Sequence, residues 1–122
     1  MIQEQKELLL KDLCARLPYG VIVETPKGKG RVCNINFTIF GVEIGVNINP
    51  TIRDTFSIDD VKPYLCPILS MTEEQQKDLS KFLANFIDDE NVVADWYNKN
   101  HFDYRGLIFM ELANDATDLN IY

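Results

Sequence analysis

The chain is predicted to be an α+β protein: an N-terminal helix over residues 1–17, a small curled antiparallel sheet over 18–68, and a helical cap over 69–122, forming a single domain over 1–122. Three observations lead there. Apolar residues recur at three- and four-residue spacing as far as Pro18, alternate with a period of two from Tyr19 to about Ile48, and return to helical spacing after Pro63 and Pro67. The strands implied by the middle segment are short and joined by tight turns. An SH3-like barrel or half-barrel is therefore expected, because curling a small sheet hides its edges.

The first helix is read from Leu9, Leu10, Leu13, Cys14 and Leu17, with Glu7, Lys11, Asp12 and Arg16 falling between them. Pro18 ends it by disfavouring a helical conformation at Leu17. Tyr19, Val21 and Val23 then alternate with Gly20, Ile22 and Glu24. In the second strand Cys33, Ile35 and Phe37 alternate with Val32, Asn34 and Asn36, and in the third Val42, Ile44, Val46 and Ile48 alternate with polar or small residues. Thr25-Pro26-Lys27-Gly28-Lys29-Gly30 supplies the first hairpin turn, Thr38 to Gly41 the second, and Asn49-Pro50-Thr51 breaks the third strand. Residues 55–58 and 61–65 add one or two short strands around Asp59-Asp60.

Thr72 followed by Gln75 forms a capping box and marks a helix start. Leu79, Phe82, Leu83, Phe86 and Ile87 give that helix its buried face, and Asp88-Asp89-Glu90 separates it from a second helix, from about Asp89 to Lys99, that buries Val92, Val93, Trp96 and Tyr97. A last short helix is expected to carry Leu107, Ile108, Met110, Leu112 and Ala113. Beyond Asn114 the pattern fades.

Composition narrows the function classes. With 122 residues, 46% hydrophobic and 25% charged, the chain suits one modest core. No stretch is long and apolar enough to cross a bilayer, and the N-terminus lacks the order of a signal peptide, so no membrane association and a cytoplasmic location are expected. Cys14, Cys33 and Cys66 are odd in number and far apart, which fits neither a disulfide framework nor a zinc site. The net charge is −7, and residues 70–122 carry all of the excess, with 11 acids against 4 bases. That half is poorly suited to nucleic acid and tolerant of a basic partner.

Four runs carry a resemblance: residues 11–21 (KDLCARLPYGV), 60–65 (DVKPYL), 70–74 (SMTEE) and 102–108 (FDYRGLI). In this order they resemble a group of short proteins of gut anaerobic bacteria and their phages, from roughly Glu7 to Ala113. The resemblance implies a phage or mobile-element setting, in which small proteins often bind a host or viral component. It implies no activity, cofactor or catalytic residue.

Candidate chemistry is sparse. Lys27, Lys29 and Arg31 on a glycine-containing hairpin offer three positive charges to a nucleotide or nucleic acid, although no phosphate-binding loop is present. His101, the only histidine, would have to meet Cys14, Cys33 or Cys66 to build a cysteine hydrolase. The cysteines lie on apolar faces or beside prolines and are expected to be buried, while His101 is expected at a helix end as a partly positive ring. Adjacent acids at Asp59-Asp60, Glu73-Glu74 and Asp88-Asp89-Glu90 suit turns and caps, so no metal or cofactor is implied. Trp96, Tyr97, Phe102 and Tyr104 with Arg105 resemble a binding hot spot; the competing explanation is that Arg105 pairs with Asp103 or Asp95 and locks the helices. The function expected is a non-enzymatic interaction or accessory module acting on a protein partner or on its own copies, through Tyr104, Arg105 and Trp96. Small-ligand or nucleotide binding is the alternative, and nucleic-acid binding through Lys27, Lys29 and Arg31 a second.

Overall fold

The computed structural model describes residues 1–86 and 89–122, and of Phe86 only the backbone. The proposed burial of Phe86 and Ile87 and the helix-stopping role of Asp88 lie outside the described residues. Among the described residues three α-helices, α1 (Gln3–Arg16), α2 (Glu73–Phe86) and α3 (Glu90–Lys99), accompany six strands: β1 (Ile22–Thr25), β2 (Gly28–Thr38), β3 (Gly41–Asn49), β4 (Ile52–Ser57), β5 (Lys62–Leu65) and β6 (Asn114–Asp115). The strands form one sheet in the order β4-β3-β2-β1-β5-β6. Its neighbours are antiparallel except for β5 and β6, so the sheet is mixed; it curls but does not close into a barrel.

The α+β class, the N-terminal helix, the curled sheet and the C-terminal helical segment are as predicted. Local signals were reliable where both partners are near in sequence. The capping box is present, Thr72 N–H donating to Gln75 Oε1 at 2.9 Å and Gln75 N–H to Thr72 Oγ1 at 3.2 Å. Asp89 caps α3, its carboxylate accepting from the Asn91 and Val92 amides at 3.1 and 3.2 Å.

The core lies between α1 and the concave face of the sheet. Leu9 and Leu13 of α1 meet Val21, Val23, Val32, Ile44, Val46 and Phe56 from the sheet side, and Leu107, Leu112 and Ala113 close the far end. A second cluster, Met71, Trp96 and Phe102, holds α2 and α3 to the body.

Three expectations are corrected. The buried face of α1 is Leu9, Asp12, Leu13 and Arg16, with Cys14 exposed, so the helix is rotated from the stripe the leucines suggested. In β2 the register shifts between Val32 and Asn34, making Cys33 a bulge. The extra residue puts Val32, opposite Val46, and Ile35, opposite Ile44, on the same face, so strict alternation does not run through the strand. Residues 107–111 form turns in place of a helix, because Glu111 takes a left-handed φ of 61° and the chain then enters β6.

The tail beyond β6 also has a structural role. The Tyr122 hydroxyl accepts from the Ile22 amide at 2.9 Å and donates to the Tyr64 carbonyl at 2.7 Å, joining β1 and β5 just past their last paired residues, Val23 and Pro63. Burial pushes this phenol up to about 12, which keeps the donated proton in place.

Tight curling brings Gly30 of β2 against β3: a Cβ there would lie 2.5 Å from Val46 Cγ1 and 2.6 Å from the Asn47 carbonyl oxygen. The second contact is backbone and cannot rotate away. Gly30→Ala is therefore expected to destabilise the fold by about 1–3 kcal/mol, read as a lower urea midpoint. An unchanged midpoint would show that the strands separate freely here.

Candidate functional site

The aromatic-arginine cluster is a structural lock built around a charge that the sequence reading placed on the surface. Asp12 and Arg16, one turn apart on α1, are both fully buried. Arg16 Nε donates to Asp12 Oδ2 at 2.9 Å, and its Nη2 donates to the Phe102 carbonyl at 2.6 Å. Arg105 completes the set, Nη1 donating to Asp12 Oδ1 at 2.7 Å. Arg105 thus pairs with Asp12, and with neither Asp103 nor Asp95. Asp103 instead accepts from the Leu107 and Ile108 amides at 2.9 Å each, and Asp95 accepts from the Tyr19 hydroxyl at 2.5 Å.

Tyr104 is sandwiched into the same lock. The Arg105 guanidinium lies 4.4 Å from its ring centroid, Arg16 lies 5.7 Å away, and Tyr97 stacks on it at 5.4 Å. Trp96 donates its indole N–H to Asp78 at 3.0 Å and stacks on Phe102 at 5.8 Å, so it joins α3 to α2 and to the core. Of the predicted binding residues, Trp96, Tyr104 and Arg105 are brought together, with their polar and ring surfaces turned onto other parts of the same chain.

Lys27, Lys29 and Arg31 sit elsewhere, on the β1–β2 hairpin. Lys27 forms an ion pair with Asp54, whose carboxyl is held below the usual range chiefly by that contact. Lys29 Nζ lies 5.0 Å from the Tyr64 ring centroid, and Arg31 Nη1 donates to the Gly20 carbonyl at 3.0 Å. Each cation has an intramolecular partner, and among the described residues no hydrogen bond, ion pair or ring contact links them to Trp96, Tyr104 or Arg105.

Cys66 and His101 are joined through the backbone, the Cys66 amide donating to the His101 carbonyl at 2.8 Å. Their side chains are poorly tuned for nucleophilic chemistry. Burial pushes the Cys66 thiol up, with Asp115 adding to the effect, while burial followed by the charges of Arg16 and Arg31 pushes His101 down to about 4. A thiolate–imidazolium pair needs both shifts reversed. His101 is therefore neutral near pH 7, in place of the partly positive ring expected at the helix end; it is buried with φ 60° and stacks on Tyr122 at 3.6 Å. The expected burial of the cysteines is also corrected: Cys14 is exposed and Cys33 and Cys66 are half-buried, all as free thiols. Among the described residues no group of three metal-ligating side chains converges, and no helix is long and apolar enough to cross a membrane.

What the sequence reading missed lies at the opposite end of the sheet. The β2–β3 hairpin extends past its neighbours, since β1 pairs with β2 only as far as Arg31 and β4 pairs with β3 only from Glu43 onward. Its tip is apolar and uncovered: Phe37 is 70% exposed, and Ile39 and Phe40 are each 92% exposed. Thr38 accepts from the Phe40 amide and donates to the Gly41 carbonyl, and Gly41 supplies the positive φ that closes the turn. Nothing in that geometry requires bulky apolar side chains at the two central positions, where polar residues are usual. That departure is the signal in the sequence that would have found the site.

A groove of about 300 Å³ opens here, between α1, the tip of the hairpin and the segment that follows β4. Leu10, Val42 and Ile58 line it, Phe40 forms one wall, and Gln3, Lys6, Glu7 and Asp59 form the rim. Phe37 pairs with Val42 across the hairpin and so lies on the groove face. No protein-family model, curated protein or solved structure matches the chain, so the geometry of this end carries the functional reading.

Proposed function

We propose that the protein is a non-enzymatic interaction module whose working surface is the apolar end of the β2–β3 hairpin. The observation that carries this reading is the exposure of Phe37, Ile39 and Phe40 on one projecting element. Contiguous uncovered apolar surface costs solubility, and on a folded protein it commonly marks a contact site. The residues with chemical potential are, by contrast, engaged in holding the chain together: Asp12, Arg16 and Arg105 with one another, Lys27 with Asp54, and Asp103 with two backbone amides. Nucleotide or nucleic-acid binding would have to draw on Lys27, Lys29 and Arg31 against partners they already have, which places those readings behind. A phage or mobile-element setting and a cytoplasmic location are consistent with a small module that binds another protein.

Quantitative co-purification tests this. A tagged full chain expressed in the cell that encodes it is expected to carry one protein at comparable molar amount, and the purified pair is expected to reassemble. Turnover of an ester, phosphate or nucleotide substrate that disappears when a single polar residue is changed would overturn the proposal.

A further inference from the structure

We infer that the groove between α1 and the β2–β3 hairpin receives a short segment of a partner protein, built from a bulky apolar anchor flanked by lysine or arginine. The inference rests on the interaction reading and names the chemistry of what is bound. The apolar half of the argument is the groove itself. Leu10, Val42 and Ile58 give it a floor, and Phe40, 92% exposed, extends that floor into a wall that no described residue covers, with the exposed Phe37 beside it on the same hairpin. A concave apolar surface of this size accommodates one or two large side chains and excludes water around them.

The charge around the groove selects among occupants. Glu7 and Asp59 stand on the rim, and the single basic residue there, Lys6, already pairs with Asp59 at 3.3 Å. Close by, the exposed acids Glu4, one turn before Glu7, and Asp60, next to Asp59, outnumber the exposed base Lys11, one turn after Glu7, and none of the three is ion-paired among the described residues. The rim is thus left negative, in a chain whose net charge is −7. A second copy would set two acidic rims against each other, and an anionic bilayer would be repelled by the same charges. A peptide with basic flanks gains from them.

Panning a phage-displayed random peptide library against the full-length chain tests the inference. Enriched peptides are expected to combine a large apolar residue with neighbouring lysine or arginine, and a synthetic peptide of that sequence should bind more weakly as salt is raised. Its dissociation constant, measured by fluorescence anisotropy, should rise about tenfold or more with Phe40→Ser, and rise with Glu7→Lys. Both positions are exposed, so the variants are expected to fold. Leu69→Ser and Phe109→Ser, at apolar positions 98% and 93% exposed elsewhere, should leave it unchanged. Peptides that bind wild type and Phe40→Ser alike overturn the groove while leaving the interaction reading standing. Enrichment without basic residues, no enrichment at all, dimerisation abolished by Phe40→Ser, or binding of phosphatidylglycerol vesicles through the tip likewise overturns the basic-peptide assignment.

Discussion

Asp12→Ala is expected to cost about 3–5 kcal/mol. Folded domains are stable by only about 5–15 kcal/mol, so the variant should be partly or wholly unfolded at ambient temperature. The reason lies in what remains after the carboxylate is removed. Both Asp12 oxygens are engaged, one by Arg16 at 2.9 Å and one by Arg105 at 2.7 Å, and Arg16 is fully buried. Without Asp12 two guanidinium groups face each other, one with no access to water. Arg105→Ala should cost clearly less, because Arg105 is partly exposed and its loss leaves the Asp12–Arg16 pair intact. Asp12→Leu combined with Arg16→Met and Arg105→Leu should recover much of the loss, since replacing a whole buried ionic network by apolar groups is often neutral. Urea unfolding followed by Trp96 fluorescence measures all three. A cost below about 1 kcal/mol for Asp12→Ala would mean that the network is solvated and holds little.

This lock also shows why part of the molecule was legible in the sequence and part was not. Features decided within a few residues were readable: the Thr72–Gln75 capping box, the hairpin turns and the alternation of β3. The first helix also ends before Pro18, although Leu17 keeps helical angles (φ −51°, ψ −45°) and the proline sits inside a 3-10 turn over Leu17–Tyr19, contrary to the expected exclusion of Leu17 from the helical region. Asp12 and Arg16 were assigned to the solvent face because charge is normally exposed there, and the partner that permits their burial, Arg105, lies 93 positions away from Asp12. No local pattern reports it. The bulge at Cys33 was hidden for a similar reason, since it exists to reconcile two inward residues, Val32 and Ile35, whose facing partners are on β3. The short C-terminal helix failed because a helical apolar spacing over 107–113 says nothing about the left-handed Glu111 or the strand site waiting beside β5. The site itself failed differently. Phe37, Ile39 and Phe40 are plainly visible in the sequence, but strand alternation accounts for Phe37 and the Thr38–Gly41 turn for Ile39 and Phe40, and only the unequal lengths of the neighbouring strands reveal how far this tip projects uncovered.

His101 sets the second large expectation, a loss of stability on mild acidification. Its folded value is pushed down to about 4 by burial and then by Arg16 and Arg31, against an ordinary 6.5. The Tyr122 ring stacked on it carries no charge in this range, and the buried Nδ1 has no hydrogen-bond partner among the described residues that would stabilise the protonated ring. Between pH 6.5 and 4 the unfolded chain therefore takes up a proton that the native chain refuses. Above 6.5 neither state is protonated and the full stability is present. As pH falls through this window the contribution of His101 is lost at about 1.4 kcal/mol per unit, reaching about 3 kcal/mol in total. Below the folded value both states carry the proton and the loss stops growing. Carboxylates such as Asp54, held low by Lys27, lose stability in the same direction at acid pH, so wild type alone does not isolate the histidine. His101→Asn does: asparagine tolerates the φ of 60° better than most residues, and it does not titrate. The variant should start lower because it lacks the stacking on Tyr122, and the gap between the two unfolding free energies should close by about 3 kcal/mol from pH 7 to pH 4. A gap that stays constant across that range would show the folded protein protonating His101 at no cost, and would overturn the assignment of this acid sensitivity to the buried ring stacked on Tyr122.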